Sequence, residues 1–317
     1  MSIKTLPLII LACTTSFCWE PVLAEGAFRV VSQNMYRFFD NVDDGNNEKI
    51  LSDHQFDQKV KATSIRIVDL FKLPDVVALQ EVENRNVLNH VVAAVAAESG
   101  IEYQVIIREG NDISGINIAY LVKPGWEINS VRQLFKKDRL DYDDSLLFSR
   151  PPLYLRICRD SDCLLLLNLH LRSMRGIRSS SSGKRVRQKR LDQALKIADW
   201  VELLQQSQSR DSLMILGDFN ALTPSDSHVD VAGIILGKPD NTRVKKPAKD
   251  LISDDLTDLT RQIPPQHRYS YIYKGKKQIL DYLFVGADFE PGLKNIQFTR
   301  IEYRFSDHAG LIADFHW

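Results

Sequence analysis

The stretch LMILGDFNALTPSD, residues 213–226, decides how the rest of the chain is read. Leu213 to Leu216 form an apolar run with the character of a buried strand, and the run stops at Gly217 to present Asp218 and Asn220. If the backbone stays extended past Gly217, side chains two residues apart face the same way. A carboxylate and a carboxamide then stand together at the tip of a strand.

Other segments repeat this pattern. FRVVSQN runs to Asn34, DVVALQEVEN carries Glu81, LLLLNLHLRS carries Asn168 and His170, QILDYLFVG carries Asp281, and FSDHAGLIADF presents Asp307 and His308. Each is short and nearly continuous in apolar residues, the form of a strand covered on both faces. Between them DQKVKATSIRIVDLF, NVLNHVVAAVAAESG and RLDQALKIADWVELL repeat their apolar residues at helical spacing, and Gly100 suits a C-terminal stop. Interleaved strands and helices predict an α/β class, with sheets stacked on each other and helices outside. A lone Asp or His after a strand is ordinarily a cap or turn residue. Three carboxylates converging within about 4 Å would repel by up to several kcal/mol per pair, which a divalent cation would offset.

The chain of 317 residues shows no fixed-period repeat, so one large domain over residues 25–317 is the expectation. Its 41 basic and 41 acidic residues cancel, so any attraction to a polyanion must come from a local patch. Residues 1–24 read as a secretory signal peptide: Lys4 is followed by an apolar segment from Leu6 to Cys13, and Val22-Leu23-Ala24 fits a cleavage site. Lipoprotein processing at Cys13 is a second reading of the same segment. The expected location is therefore periplasmic or secreted, with no transmembrane segment in the mature chain. Cys158 and Cys163 flank a short polar turn between apolar runs, so a disulfide across a β-hairpin is expected. Such a bond fits an exported protein.

QNMYRFFDNVDD, PDVVALQEVEN, FSRPPL, NLHLRS, GDFNA, ILDYLFVG and SDHAG, in that order, resemble the endonuclease/exonuclease/phosphatase superfamily, which includes pancreatic DNase I. The resemblance runs from about Phe28 to Phe315 and is most like secreted bacterial nuclease-like members. It implies a DNase I-like, four-layered α/β sandwich: two stacked mixed β-sheets flanked by helices, with the active site at one end of the sheets. It implies metal binding at Asn34, Glu81 and Asp307, and water activation by Asp218 and Asn220. It also implies that His170 and His308 are catalytic, with Asp281 pairing His308. Such oxygen ligands favour Mg²⁺ or Mn²⁺, with Ca²⁺ a further candidate. The acidic loop Asp40–Glu48 lacks EF-hand spacing and reads as a solvated loop.

Some positions stay open. The DNase I-branch glutamate that supports the first histidine has no clear counterpart, which leaves the partner of His170 unassigned. Ser114 stands where similar bacterial members carry arginine. Tyr120 is either a substrate-side residue or core, and Arg150 either contacts phosphate or forms an ion pair. From Arg172 to Arg190 there are eight basic residues, Arg172 and Arg175 among them, and no acidic one. This reads as a flexible basic loop leading into a helix, suited to a nucleic-acid backbone.

The expected activity is that of an exported, metal-dependent phosphodiesterase cleaving DNA or RNA, acting as a monomer. A phospholipid or phosphoinositide phosphoesterase is the second reading, because a basic loop also attracts anionic lipid. A non-catalytic binding or toxin module is the third, and such a module has no physical need for the full set of acid, amide and histidine side chains.

Overall fold

The computed structural model describes residues 27–316 apart from 46–47, 208–210, 223–225, 243, 288 and 290–291. The expected signal peptide and Cys13 lie outside the described residues. Fourteen strands and four α-helices follow one another as β1 (Ala27–Phe38), α1 (Asp53–Ile65), β2 (Val76–Val82), α2 (Arg85–Ser99), β3 (Gln104–Arg108), β4 (Asn117–Val122), β5 (Glu127–Gln133), β6 (Leu153–Arg159), β7 (Asp162–His170), α3 (Gly183–Gln206), β8 (Ser212–Asp218), α4 (Val231–Leu236), β9 (Thr257–Asp258), β10 (Tyr271–Tyr273), β11 (Lys276–Gln278), β12 (Asp281–Val285), β13 (Leu293–Phe298) and β14 (Leu311–His316).

Two six-stranded sheets carry the fold, ordered β13-β14-β1-β2-β4-β3 and β5-β6-β7-β8-β12-β9. Each is mixed: β1 and β2 are parallel in the first, β7 and β8 in the second, and every other pairing is antiparallel. Phe28, Val30, Leu155, Leu166, Leu216 and Leu283 belong to the apolar layer between the sheets. On the outer face of the first sheet, Val87, Val91 and Val95 of α2 and Phe56 of α1 close a second core. Across the molecule, Ala194, Ile197 and Val201 of α3 with Ile234 and Ile235 of α4 close a third. This is the four-layered sandwich that the motifs imply.

Helix boundaries follow local chemistry. Ser52 and Gln55 form a reciprocal capping box at the start of α1, and Gly100 adopts φ 72° to end α2. α1 passes into a π-helical turn over Arg66–Leu70 rather than continuing as one regular helix. α3 begins at Gly183, earlier than its apolar period suggests, because Val186 already packs inward. Half of the expected basic loop is therefore helical.

An amide pair ties the two sheets across the central apolar layer. Asn168 of β7 donates to the carbonyls of Leu79 (3.1 Å) and Ala119 (3.0 Å) in the opposite sheet and accepts from Gln80 Nε2 at 2.7 Å. Both side chains are fully buried. Asn168 is satisfied at both ends of its amide, whereas Gln80 Oε1 has no hydrogen-bond partner among the described residues, and stranding further buried groups costs their full desolvation. At the far end of β7, Cys158 faces Cys163 in register and the two are joined by the expected disulfide.

Tyr120 resolves to its core alternative and is corrected as a substrate-binding residue. It has no exposed surface and its hydroxyl donates to the Leu153 carbonyl. Its place within β4 turns it between the sheets. Asp40 is also not solvated, because its carboxylate is buried and accepts from Asn84 and Asn86.

Asn168→Ala is expected to lower unfolding free energy by about 2–4 kcal/mol, since two strand carbonyls each lose a donor and the Gln80 amide loses the shortest of its hydrogen bonds. A urea-denaturation midpoint indistinguishable from wild type would remove the sheet-to-sheet tie from this account.

Candidate active site

The polar strand tips meet at one end of the sandwich, where the two parallel strand pairs terminate. Asn34 and Glu81 leave β1 and β2; His170 and Asp218 end β7 and β8 opposite each other in register; Asp281 begins β12 paired to Asp218. Asp307 and His308 arrive on the loop before β14, where the Ser306 hydroxyl donates to the Asn34 carbonyl at 2.8 Å.

Backbone strain aims these groups. Glu81 sits at φ 61° where the register of β2 shifts between Gln80 and Val82 on both flanks. Asn220 adopts φ 50°. Left-handed backbone at non-glycine residues costs roughly 1–3 kcal/mol and persists only where surrounding contacts impose it. The extended geometry assumed for residues 218–220 is thus replaced by a turn. Asp218 accepts from the Asn220 backbone (2.8 Å) and from its side-chain amide (3.1 Å), so the two still meet. Gly217 has φ 127°, and a Cβ there would lie 2.1 Å from the Leu169 carbonyl. Only glycine lets β8 pass β7 this closely.

Two histidines occupy opposite electrostatic environments. His170 is buried, with Nε2 3.5 Å from Asp218 and 3.6 Å from Glu81. Burial, reinforced by Arg150, holds its pKa well below the ordinary value, and its Nδ1 has no hydrogen-bond partner among the described residues. The supporting carboxylate lacking in the sequence is lacking in space as well. His308 is also buried, which alone would lower its pKa, but the Asp281 carboxylate at 2.7 Å raises it to about 10. Such divergence marks a neutral imidazole beside an imidazolium donor. Asp218 lies between them, 4.0 Å from His308 Nε2, and burial pushes its carboxyl up to about 7.

The residues fit a hard cation. The Asn34 amide reaches Glu81 (3.3 Å) and Asp218 (3.1 Å), while burial and Glu81 push the Asp307 carboxyl up despite the opposing pull of His308. Oxygen donors crowded enough to raise one another's proton affinity suit Mg²⁺ or Mn²⁺. Among the described residues, Asp218, Asp281 and His308 also offer one donor atom each within 4.8 Å of one another. In that group one Asp281 oxygen is already engaged by His308.

A sequence profile described as the endonuclease/exonuclease/phosphatase family matches residues 30–312. The chain belongs to this family. Its members hydrolyse phosphoesters, and the chain is a hydrolase of that kind. No curated protein matches it in sequence. Among solved structures it resembles truncated Caenorhabditis elegans TDP2, with 18% identity, a TM-score of 0.58, and coverage of 92% of this chain and 98% of that one. It also resembles D. rerio TDP2 complexed with single strand DNA product, with 15% identity, TM-score 0.58, and coverage of 92% and 100%. ANGEL2, a 2',3'-cyclic phosphatase, shares 16% identity at TM-score 0.56 over 91% of this chain and 95% of that one. At these identities the likeness shows a shared fold.

Around this family site the basic residues divide into distinct roles. Arg150 pairs with Asp112 and donates to the carbonyls of His170 and Leu171, so it braces the strand tip while remaining beside the histidine. Ser114, in the place of the expected arginine, donates to the same Asp112. Arg172 is half-buried and Arg175 exposed. Arg190, counted in the basic loop, is instead 1% exposed on α3. Its guanidinium donates to the carbonyls of Arg172 (2.6 Å) and Asn220 (2.8 Å) and pairs with Asp226 at 2.9 Å. This clamp was hidden in the sequence because its spacing looked like one more basic residue in a run; its coincidence with the apolar face of α3 was the available signal.

Two outcomes follow. Arg190→Met is expected to cost about 3–5 kcal/mol, because the buried Asp226 loses its cation. Arg190→Met/Asp226→Leu recovers most of that stability while kcat stays about a hundredfold low, since Asn220 loses its brace; full recovery of kcat would reduce Arg190 to a packing role. Asp281→Asn should bring the His308 titration, followed by imidazole NMR, from about 10 to far lower pH, since burial then acts with less opposition.

Proposed function

We propose that the protein is an exported, divalent-metal-dependent phosphodiesterase whose substrate is nucleic acid. The observation that carries the reaction is the Asp218–Asn220 pair set between a neutral His170 and a protonated His308. Asp218 accepts the proton of a water held by the Asn220 amide, the water oxygen bonds to phosphorus, and the bond to the departing oxygen breaks, that oxygen leaving with the electron pair and taking a proton from solvent. The His308 imidazolium, oriented by Asp281, donates to the phosphoryl group, where negative charge accumulates. The neutral His170 offers a second donor without competing for the proton on Asp218. A Mg²⁺ or Mn²⁺ bound through Asn34, Glu81 and Asp307 would supply Lewis-acid polarisation of a phosphoryl oxygen.

The substrate class is supported by charge. Burial lowers the proton affinity of Arg172 and Lys189, and Arg150 and Arg185 lie near enough to lower it further, with Arg150 acting on His170 as well. A run of cations flanking one side of the scissile position suits a chain of phosphates better than a single headgroup. The single-strand DNA product bound by D. rerio TDP2 on the same fold accords with this. Export is supported by the apolar segment Leu6–Cys13 and by the disulfide. Among the described residues no helix is long and apolar enough to cross a membrane.

The decisive experiment offers plasmid DNA, RNA, sphingomyelin and phosphoinositides with Mg²⁺ or Mn²⁺. Nucleic acid should be cut, EDTA should abolish the reaction, and Asp218→Asn and His308→Ala should each lower kcat by about 10²–10⁴-fold. Hydrolysis of a lipid with nucleic acid left intact would overturn the substrate assignment. Each of Arg172→Ala and Arg175→Ala should also reduce the slope of log K against log salt by about one, uniformly across sequences.

A further inference from the structure

The hairpin β10–β11 belongs to neither large sheet. Its two-residue turn, Lys274 and Gly275, has φ 49° and 77°, the paired left-handed geometry of a tight hairpin. It is fastened to the site: Tyr271 pairs with His308 across an isolated bridge, the Ala309 amide donates to the Ser270 carbonyl at 2.8 Å, and the Tyr271 and His308 rings lie 5.0 Å apart. From Arg268 to Leu280 there is no acidic residue, and Lys274, Lys276 and Lys277 cluster at the turn.

Exposed tyrosines gather on this side of the site. Among the described residues, Tyr36, Tyr142, Tyr273 and Tyr303 are the exposed tyrosines, and all but Tyr142 stand beside catalytic segments. Tyr36 follows Asn34 by two residues, Tyr303 lies on the turn leading to Asp307, and Tyr273 is carried by the hairpin. The Tyr36 amide donates to Asn34 Oδ1 at 2.9 Å, the Ser306 hydroxyl joins the Tyr303 turn to the Asn34 carbonyl at 2.8 Å, and the Tyr271–His308 bridge joins the hairpin to that same loop, so the three tyrosines are carried by segments tied together at the site. Tyr36 and Tyr303 are 51% and 62% exposed, and neither stacks on another ring among the described residues. Cations accompany the rings: Lys59 donates to the Tyr36 carbonyl at 2.9 Å, and Lys274 lies 5.5 Å from the Tyr273 ring.

We propose that Tyr36, Tyr273 and Tyr303 form a base-stacking rim that makes the enzyme selective for single-stranded or unpaired nucleic acid. This rests on the nucleic-acid reading above and narrows it. Separate aromatic faces interleaved with cations are what an unpaired strand needs, bases on rings and phosphates on charges, whereas a duplex has its bases already stacked and their faces hidden. The arginines lie on the His170 side and the tyrosines on the His308 side, so a strand crossing the site meets charge on one flank and rings on the other. A lipid surface is a poorer match, because the hairpin tip is Lys-Gly-Lys and would carry charge into any membrane it entered.

The test compares one labelled oligonucleotide, single-stranded and annealed to its complement, with wild type, Tyr36→Leu, Tyr273→Leu, Tyr303→Leu and Tyr303→Trp. Wild type should prefer the single strand, and each leucine variant should raise its KM about tenfold with kcat kept. Tyr303→Trp should restore the wild-type KM, and abasic nucleotides beside the scissile phosphate should erase the difference between tyrosine and leucine. Equal cutting of both strands' forms, with leucine variants unchanged, would overturn the rim and leave the nuclease reading standing. Tyrosine-dependent binding to sphingomyelin vesicles without any cutting of nucleic acid would overturn both.

Discussion

The Asn168–Gln80 hydrogen bond is the constraint on which the site depends. Hydrophobic burial can press two sheets together, but it has no direction and leaves their relative slide loosely determined. Amide hydrogen bonds do have direction. Asn168 spans from β7 to β2 and β4 only two residues before His170, while Gln80 immediately precedes Glu81. The tie therefore sets the distance between the two half-sites, one delivered by each sheet. Burying so polar a pair in the apolar centre gives up packing that leucines would supply, and geometry at the catalytic end is what it returns.

From that fixed floor the tips need only short adjustments. A bulge turns Glu81 toward His170, a turn folds Asn220 back onto Asp218, and Arg190 holds the two following loops against each other. Each device spends local stability on aim, and each sits above a thick apolar layer that can sustain the expense. Burial lowers the proton affinity of both histidines, and their neighbours then drive them apart: Arg150 holds His170 lower still, whereas Asp281 raises His308.

Much of this was legible from residue order. Continuous apolar runs ending in Asn34, Glu81, His170, Asp218 and Asp281 identified buried strands with a common polar end, and the motifs placed them in a four-layered sandwich. What the order concealed was three-dimensional. The φ of Asn220 is imposed by neighbours distant in sequence, so alternation predicted the right contact for the wrong reason. Arg190 looked solvated because a run of charges masks the one member that lies on an apolar helix face. Tyr120 looked ambiguous because strand membership alone does not say which face meets the other sheet. The exposed tyrosines were invisible as a group, since Tyr36, Tyr273 and Tyr303 are separated by most of the chain.

The pairing of β1 with β14 has a bearing on biosynthesis. Ala27 lies opposite His316, so the strand that begins the domain waits for the strand that ends it. Asp307 and His308 emerge from the ribosome after β1 to β13 have been made, and the loop that holds them against Asn34 is secured by β14. A nascent chain accordingly has no working catalytic end, however well its earlier helices have formed. Late closure of the first sheet is a safeguard supplied by topology.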